Sequence, residues 1–384
     1  MNKEPLVPNR FERRVVRARQ REILARVLAR GFGSLWPGPV HFWGKGRSTQ
    51  AGSPSAQRTR WSQVRLLLED LGPTFVKMGQ IFSNRPDLLP ESLLVELRKL
   101  QDSVQAFPFE TVREIVESEL EAPMEKNFLS FDPVPVASAS VAQVHKAQLL
   151  DGRTVAVKVL RPHVEENVAL DLEILSRIGF WFEKIVLRSD VLDTRAILEE
   201  FARTLSKETD FRNEALYQIK FALNFKGDPD ILVPKVHREL STKRILVMDF
   251  VVGLHPLDWQ GYVQAGLSRK QIAQRGAELL LKQVFVHGFF HADPHTGNIL
   301  ILTDGRVAFL DFGMMGVLFD RHRDHLAEML LAISSNDAAG MSKALLALAG
   351  NPPLENANRL EEDVFTLLET YAHLPLGEVN LGEF

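Results

Sequence analysis

In "HADPHTGN", Asp293 stands five positions ahead of Asn298, and Asp311 opens "DFG" thirteen residues after Asn298. Between the last two, Asp304-Gly305 reads as a hairpin turn, which places Asn298 and Asp311 at one end of a pair of strands near 299–302 and 307–310. An amide and a carboxylate are hard oxygen ligands, suited to a cation such as Mg²⁺. A further carboxylate, Asp293, has the chemistry to orient or deprotonate an acceptor. Upstream, "VAVK" ends on Lys158 in a strand after a hairpin, and "SKETDFRNEA" puts Glu208, Asp210 and Glu214 on an acidic helix. Phosphoryl transfer needs this set: a lysine on the anionic polyphosphate, an acid to hold the lysine, and oxygens for the metal. Each piece alone is weak, since VAVK is ordinary strand sequence and DFG a common turn. In this order and at these spacings they are specific.

Plainer readings stand beside these. Lys158 alone would be a strand-end surface lysine, Lys77 a helix-surface lysine, and Glu208 and Asp210 a solvated face. His291 and His295 flank Asp293 and invite zinc, but no third ligand of comparable spacing accompanies them, and histidine also orders loops. The aromatic run "FWFEKIVL" reads as core or a lobe contact rather than a membrane anchor.

These groups must be held by folded elements. Residues 1–60 read as a basic arm followed by a Gly/Pro/Ser-rich linker, and 61–127 as helical. From Phe128 the texture alternates, with Asp151-Gly152 as a hairpin turn; 165–224 return to helix, and "ILVPKVHRELSTKRILVMDFV" looks like strands. After about Leu267 helices dominate. The order predicts an α+β fold with a small β-rich lobe over 128–252, carrying a helical insert near 163–200. A larger helical lobe over 253–384 would share a ligand with it.

The 384 residues suffice to bury a large core, and hydrophobic and charged fractions of 45% and 25% are those of a globular protein. The lack of cysteine excludes disulfides and thiolate metal sites and favours a reducing compartment. No apolar run of about 18 residues suggests a membrane span, and the basic first thirty residues do not read as a signal peptide. Residues 1–60 carry 13 Lys+Arg against 3 Glu, a balance of +10, so the remainder carries -13 of the net -3. Such an arm points to an anionic partner, membrane headgroups or nucleic acid. In "RFERRVVRARQREILARVLARGF" an apolar stripe through Phe11, Val15, Val16, Ile23, Leu24, Val27 and Leu28 fits two placements equally: a helix on a membrane, or one that is solvated or packed on the protein.

These motifs resemble the protein-kinase-like superfamily, and within it the UbiB/AarF-domain atypical kinases. Two more stretches carry the likeness: "KMGQ" at Lys77–Gln80 followed by "RPDLLP", which matches the family's K-x-G-Q signature, and "ASASVAQVHKA". There Ala137, Ser138, Ala139 and Ser140 match the family's alanine-rich loop, in the place of a kinase glycine-rich loop. The similarity covers residues from about 65 to the end. It implies a bilobal kinase-like fold with a helical N-terminal extension. Lys77 would reach Glu208 or Asp210, with Gln80 beside it. Glu214 would pair with Lys158, Glu208 being the alternative. Met248 would line the adenine pocket, with Asp249 to Val251 as backbone contacts. The resemblance further implies ATP/ADP and Mg²⁺ on Asn298 and Asp311, with Asp293 catalytic. Activity would lean to ATP hydrolysis rather than protein phosphorylation.

The implied role is support of ubiquinone-type lipid biosynthesis, cytoplasmic or peripheral to a bacterial or organellar inner membrane. Implied partners are a nucleotide, an anionic membrane surface and a lipid or quinone precursor, with a homo-oligomer or quinone-biosynthesis proteins besides; nucleic acid is not expected. Many relatives continue past "VNLGEF", some into membrane helices. Two other functions fit parts of the pattern. One is a small-molecule phosphotransferase like aminoglycoside or choline kinases, which lack the K-x-G-Q helix. The other is a non-catalytic, nucleotide-gated lipid-binding scaffold.

Overall fold

The computed structural model describes residues 13–31, 54–83, 89–100, 106–185, 194–352 and 357–371. The linker stretch 32–53, residues 85–88 of the "RPDLLP" string and the side chains of the aromatic run 180–187 lie outside that description. The chain divides into two units: residues 1–216 with 235–250, and 217–234 with 251–384.

The first unit opens with five helices, α1 (Arg13–Ala29), α2 (Pro54–Leu71), α3 (Pro73–Ser83), α4 (Glu91–Leu97) and α5 (Phe109–Leu120). Helix α2 starts at Pro54, seven residues before the expected start at Trp61, because proline is favoured in a first helical turn. Gly72 at φ +101° ends α2, and Pro73 at once restarts the chain as α3. Strands β1 (Phe128–Phe131), β2 (Ala137–Ser138), β3 (Ala142–Leu149) and β4 (Thr154–Leu160) follow. The expected Asp151-Gly152 turn joins β3 to β4, with Gly152 at φ +87°. Next come α6 (Val164–Ile185), α7 (Thr194–Glu208) and α8 (Phe211–Asn224), the unit boundary falling within α8.

Strand β5 (Ile231–Leu232) belongs to the second unit and β6 (Ile245–Asp249) to the first. The stretch between them is not a strand as expected but includes a 3₁₀ turn at Arg238–Leu240. The first unit's antiparallel sheet runs β1-β3-β4-β6, with β2 also on β3. Val155, Val157 and Val159 alternate onto one face and pack with Ile245 and Val247 against Val112, Ile115 and Val116 of α5. The period of two puts Lys158 on the opposite face.

Val16 and Ile23 of α1 are buried with Leu71, Phe75, Leu170 and Ile174. Arg19 clamps Asp171 through two bonds, 2.8 and 3.1 Å, and donates to the Leu71 carbonyl at 2.7 Å. The part of the apolar stripe through Val16, Ile23 and Val27 therefore packs on α2, α3 and α6, while Phe11 lies outside the described residues. Val15 and Leu28 stay on the exposed side, with Arg14, Arg17 and Arg21.

The second unit holds α9 (Trp259–Gln264), α10 (Arg269–Leu281), β7 (Phe289–His291), β8 (Ile299–Ile301), β9 (Val307–Phe309), β10 (Met315–Val317), α11 (Asp320–Ser335), α12 (Ala338–Leu348) and α13 (Ala357–Tyr371). Helix α10 runs into a π-helical turn, Lys282–His287. The sheet order is β5-β9-β8, with β5 parallel to β9, while β7 pairs with β10. Phe221, Phe289, Phe309 and Phe312 fill the core over these strands. Among the described residues no helix is long and apolar enough to cross a membrane.

Candidate active site

Lys158 is 9% exposed, and its Nζ donates to both carboxylate oxygens of Glu214 at 2.9 Å. Of the two acids left open by the sequence, Glu214, at the start of α8, is thus one that takes this lysine. The amine also lies 5.3 Å from the centre of the Phe211 ring, one helical turn before Glu214. A buried amine gripped bidentately is fixed in direction as well as charge, which is what a phosphate-binding lysine needs.

Glu208, at the end of α7, takes Lys77 instead, at 2.9 Å. Asp210 holds Arg212 at 2.6 and 2.9 Å, and that guanidinium keeps the Asp210 carboxyl below the usual range. The other residues of "KMGQ" hold α3 in place. Gln80 donates to the Leu100 carbonyl at 3.1 Å. A Cβ on Gly79 would meet Leu100 Cδ1 at 2.2 Å and Leu68 Cδ1 at 2.9 Å, so the close approach of α3 to α2 and the end of α4 requires glycine.

Residues Ala137–Ser140 form one arm and the tip of the β2–β3 hairpin: Ala137 pairs with Val144, Ser138 with Gln143, and Ala139 N donates to Ala142 O at 2.8 Å. Arg161, just past β4, pins this loop. Its Nε donates to Ala139 O at 2.9 Å and its Nη2 to Ser138 Oγ at 2.8 Å, while its backbone N donates to Val141 O. Gln143 and His145, two residues apart on β3, point to one side of the strand and are fully buried. Gln143 accepts from Phe107 N at 2.9 Å and donates to His145 Nε2 at 2.8 Å; His145 Nδ1 in turn faces Asp132 O at 2.8 Å. Burial lowers the pKa of this ring, which fits a neutral imidazole.

Met248 is buried in β6 opposite Ala156. The Asp249 amide is spent on Lys235 O at 2.9 Å and the Phe250 amide on Thr154 O at 3.1 Å, so a ligand could not use either. The Asp249 carboxylate lies 2.8 Å from His237 Nε2. Val251 opens the last segment of the second unit.

In the second unit, Ile299 pairs with Phe309 and Leu310 N donates to Asn298 O at 2.9 Å. Asn298 and Asp311 therefore sit at the same end of the β8–β9 hairpin, as the Asp304-Gly305 turn requires. Asn298 Nδ2 donates to Asp293 O at 3.3 Å, closing the loop on itself, and Gly313 N donates to Asp311 Oδ1 at 2.8 Å. Phe312 is fully buried, 5.2 Å from the Phe221 ring centre, and anchors the DFG turn.

The two histidines order the loop rather than offering a zinc site. His291 Nδ1 accepts from Asp293 N at 3.2 Å and His295 Nδ1 from Gly297 N at 3.1 Å. Burial pulls the His291 pKa down against the opposing influence of Asp311. Gln283, in the π-helical turn, accepts from His291 N at 2.9 Å and so fixes the strand that launches the loop. Neither Gln283 nor Arg161 stood out in the sequence; the Q of "QVHKA" did, as part of a motif.

Among the described residues no three His, Asp or Glu side chains converge as a metal cage. Asn298 and Asp311 still fit Mg²⁺, which takes one or two protein oxygens and fills the rest of its shell with water and phosphate oxygens.

A profile of the ABC1 atypical kinase-like domain matches residues 99–345. The chain belongs to this family, the UbiB/AarF kind of atypical kinase. It is 38% identical over 326 residues to the uncharacterized protein sll1770 of Synechocystis sp., covering 85% of this chain and 55% of that protein. It is 36% identical over 335 residues to a probable protein kinase UbiB of Marinobacter nauticus, covering 86% and 61%. The chain thus spans little more than half the length of these relatives. Among solved structures, the complex of Rv3197 with erythromycin from Mycobacterium tuberculosis superposes with a TM-score of 0.55 at 23% identity, over 94% of this chain and 81% of that one. The expected α+β, bilobal kinase-like fold is the fold of this chain.

Proposed function

We propose that this protein is a Mg²⁺-dependent, ATP-binding kinase or ATPase of the UbiB type that supports quinone-type lipid biosynthesis at a membrane. The observation that carries the reading is the buried Lys158–Glu214 pair, with both carboxylate oxygens on one amine. A globular core has no use for such a pair that apolar residues would not serve as well, whereas a polyphosphate site needs a fixed cation. Lys158 would bind the α/β-phosphates beneath the Ala137–Ser140 hairpin. Asn298 and Asp311 would hold Mg²⁺, which when bound neutralises phosphate charge. Asp293 would orient the attacking water or hydroxyl and accept its proton.

The ordered Lys77–Glu208 pair and the close packing at Gly79 support a K-x-G-Q element built into the protein rather than a mobile tail. That favours nucleotide turnover over phosphorylation of a docked protein. The quinone role rests on the names of relatives such as the probable protein kinase UbiB. The exposed arginines of α1 are the groups through which an anionic membrane would be met. The test is ATP turnover with and without anionic liposomes and a quinone-precursor mimic. Wild type should turn over ATP, while Lys158→Ala and Asp311→Asn should lose it; turnover unchanged in both variants would reject the site.

A further inference from the structure

A cavity of about 530 Å³ opens in the first unit between α5 and the turn from β4 into α6. One wall is a single face of α5, with Thr111, Glu114, Ile115 and Ser118. The opposite wall is the turn from β4 into α6, with Leu160, Arg161, Pro162 and His163, and Arg244 stands at its edge.

The charges in this wall are unequal in their freedom. Glu165 is taken by Lys243, and Glu166 lies 3.4 Å from His163. Neither the Arg244 guanidinium nor the Glu114 carboxylate makes an ion pair with the described residues, and Thr111 and Ser118 line the cavity on the same face of α5 as Glu114. Arg161 adds a second guanidinium, which donates to Ala139 O and Ser138 Oγ. Ile115, Leu160 and Val164, all buried, are apolar residues of its lining. His163 in this turn adopts a left-handed conformation, φ +56°, that non-glycine residues seldom adopt.

We propose that this cavity is an effector site for a small organic oxyanion, a phosphate ester or carboxylate on a compact apolar body. Arg244 and the α5 hydroxyls recognise the anion, and Arg161 reports its arrival to the Ala137–Ser140 hairpin. An oxyanion beside Arg161 competes with Ala139 O and Ser138 Oγ for the same guanidinium hydrogens. The hairpin then loses its clamp, and nucleotide affinity falls. This coupling rests on the reading of the hairpin as the nucleotide loop; the binding site does not.

The test titrates the full chain with phenyl phosphate and with benzoate, benzamide serving as the neutral control, and follows binding by calorimetry. Saturable binding of either anion, absent for benzamide and lost in Arg244→Ala and Thr111→Val, is the expected result whether or not ATP binds. No saturation, equal binding of benzamide, or binding that survives Arg244→Ala overturns the site. In the wild type, saturating anion should weaken ATP binding three- to ten-fold, with a reciprocal loss of anion affinity in saturating ATP. ATP affinity unchanged by bound anion overturns the coupling. A chain that binds the anion but no ATP at all contradicts the proposed function and leaves the site standing.

Discussion

The Nζ of Lys158 stands 2.9 Å from both carboxylate oxygens of Glu214, and neither side chain is more than about a tenth exposed. Removing one member leaves the other's charge buried without its partner. Glu214→Ala should therefore cost about 3–5 kcal/mol of stability, read by chemical denaturation. The double variant Lys158→Met/Glu214→Leu should recover much of that stability while remaining unable to bind nucleotide. A Glu214→Ala protein as stable as wild type would show that the pair is not structurally coupled.

Gly79 is a packing position as much as a motif letter. The methyl of Gly79→Ala would press on Leu100 and Leu68, at a cost of about 1–3 kcal/mol. Thermal denaturation should show the loss, and Leu100→Ala in the same chain should relieve part of it. Additive losses in the double variant would mean that α3 does not approach α4 as described.

His145 supplies a pH dependence with a definite sign. Its folded pKa lies below the ordinary value near 6.5, because burial disfavours the charged ring. The unfolded chain therefore binds the proton more readily, and stability falls as pH drops from the unfolded pKa toward the folded one. His287 and His291 are shifted the same way and add to the slope. Denaturation midpoints measured between pH 7.5 and 5.5 should decline in the wild type and decline less in His145→Gln. An equal decline in both would remove His145 from the account.

The outer face of α1 can be separated from its inner face by mutation. Arg14, Arg17 and Arg21 are exposed, whereas Arg19 is committed to the buried Asp171. Replacing the three exposed arginines by serine should abolish co-sedimentation with phosphatidylglycerol vesicles and leave the melting temperature within about 1–2 °C, since surface changes cost little. Arg19→Ala should do the reverse, destabilising the protein by about 3 kcal/mol through the stranded Asp171. Vesicle binding that survives the triple substitution would place the membrane surface elsewhere.

Much of the site was legible because phosphoryl-transfer motifs are local: the Asn298–Asp311 spacing and its Asp304-Gly305 turn fix a hairpin geometry by themselves. The partner of Lys158 was not, since Glu208 and Glu214 lie on separate helices and only tertiary packing sends one to Lys77 and the other to Lys158. The apolar stripe of α1 was visible, but periodicity cannot say whether lipid or protein covers it. Strand β5, two residues long, has no period from which to read its pairing with β9. Arg161 looks like any arginine after a strand; its hold on the hairpin depends on a loop folding back 22 residues away in sequence.

Equilibrium binding of ATP, with and without Mg²⁺, tests the central claim most directly. Wild type should bind ATP saturably and more tightly with the metal. Lys158→Ala should weaken binding in both conditions by ten-fold or more, and Asp311→Asn should erase only the gain from Mg²⁺. Absence of saturable ATP binding by the wild type, or wild-type affinity in both variants, would contradict it.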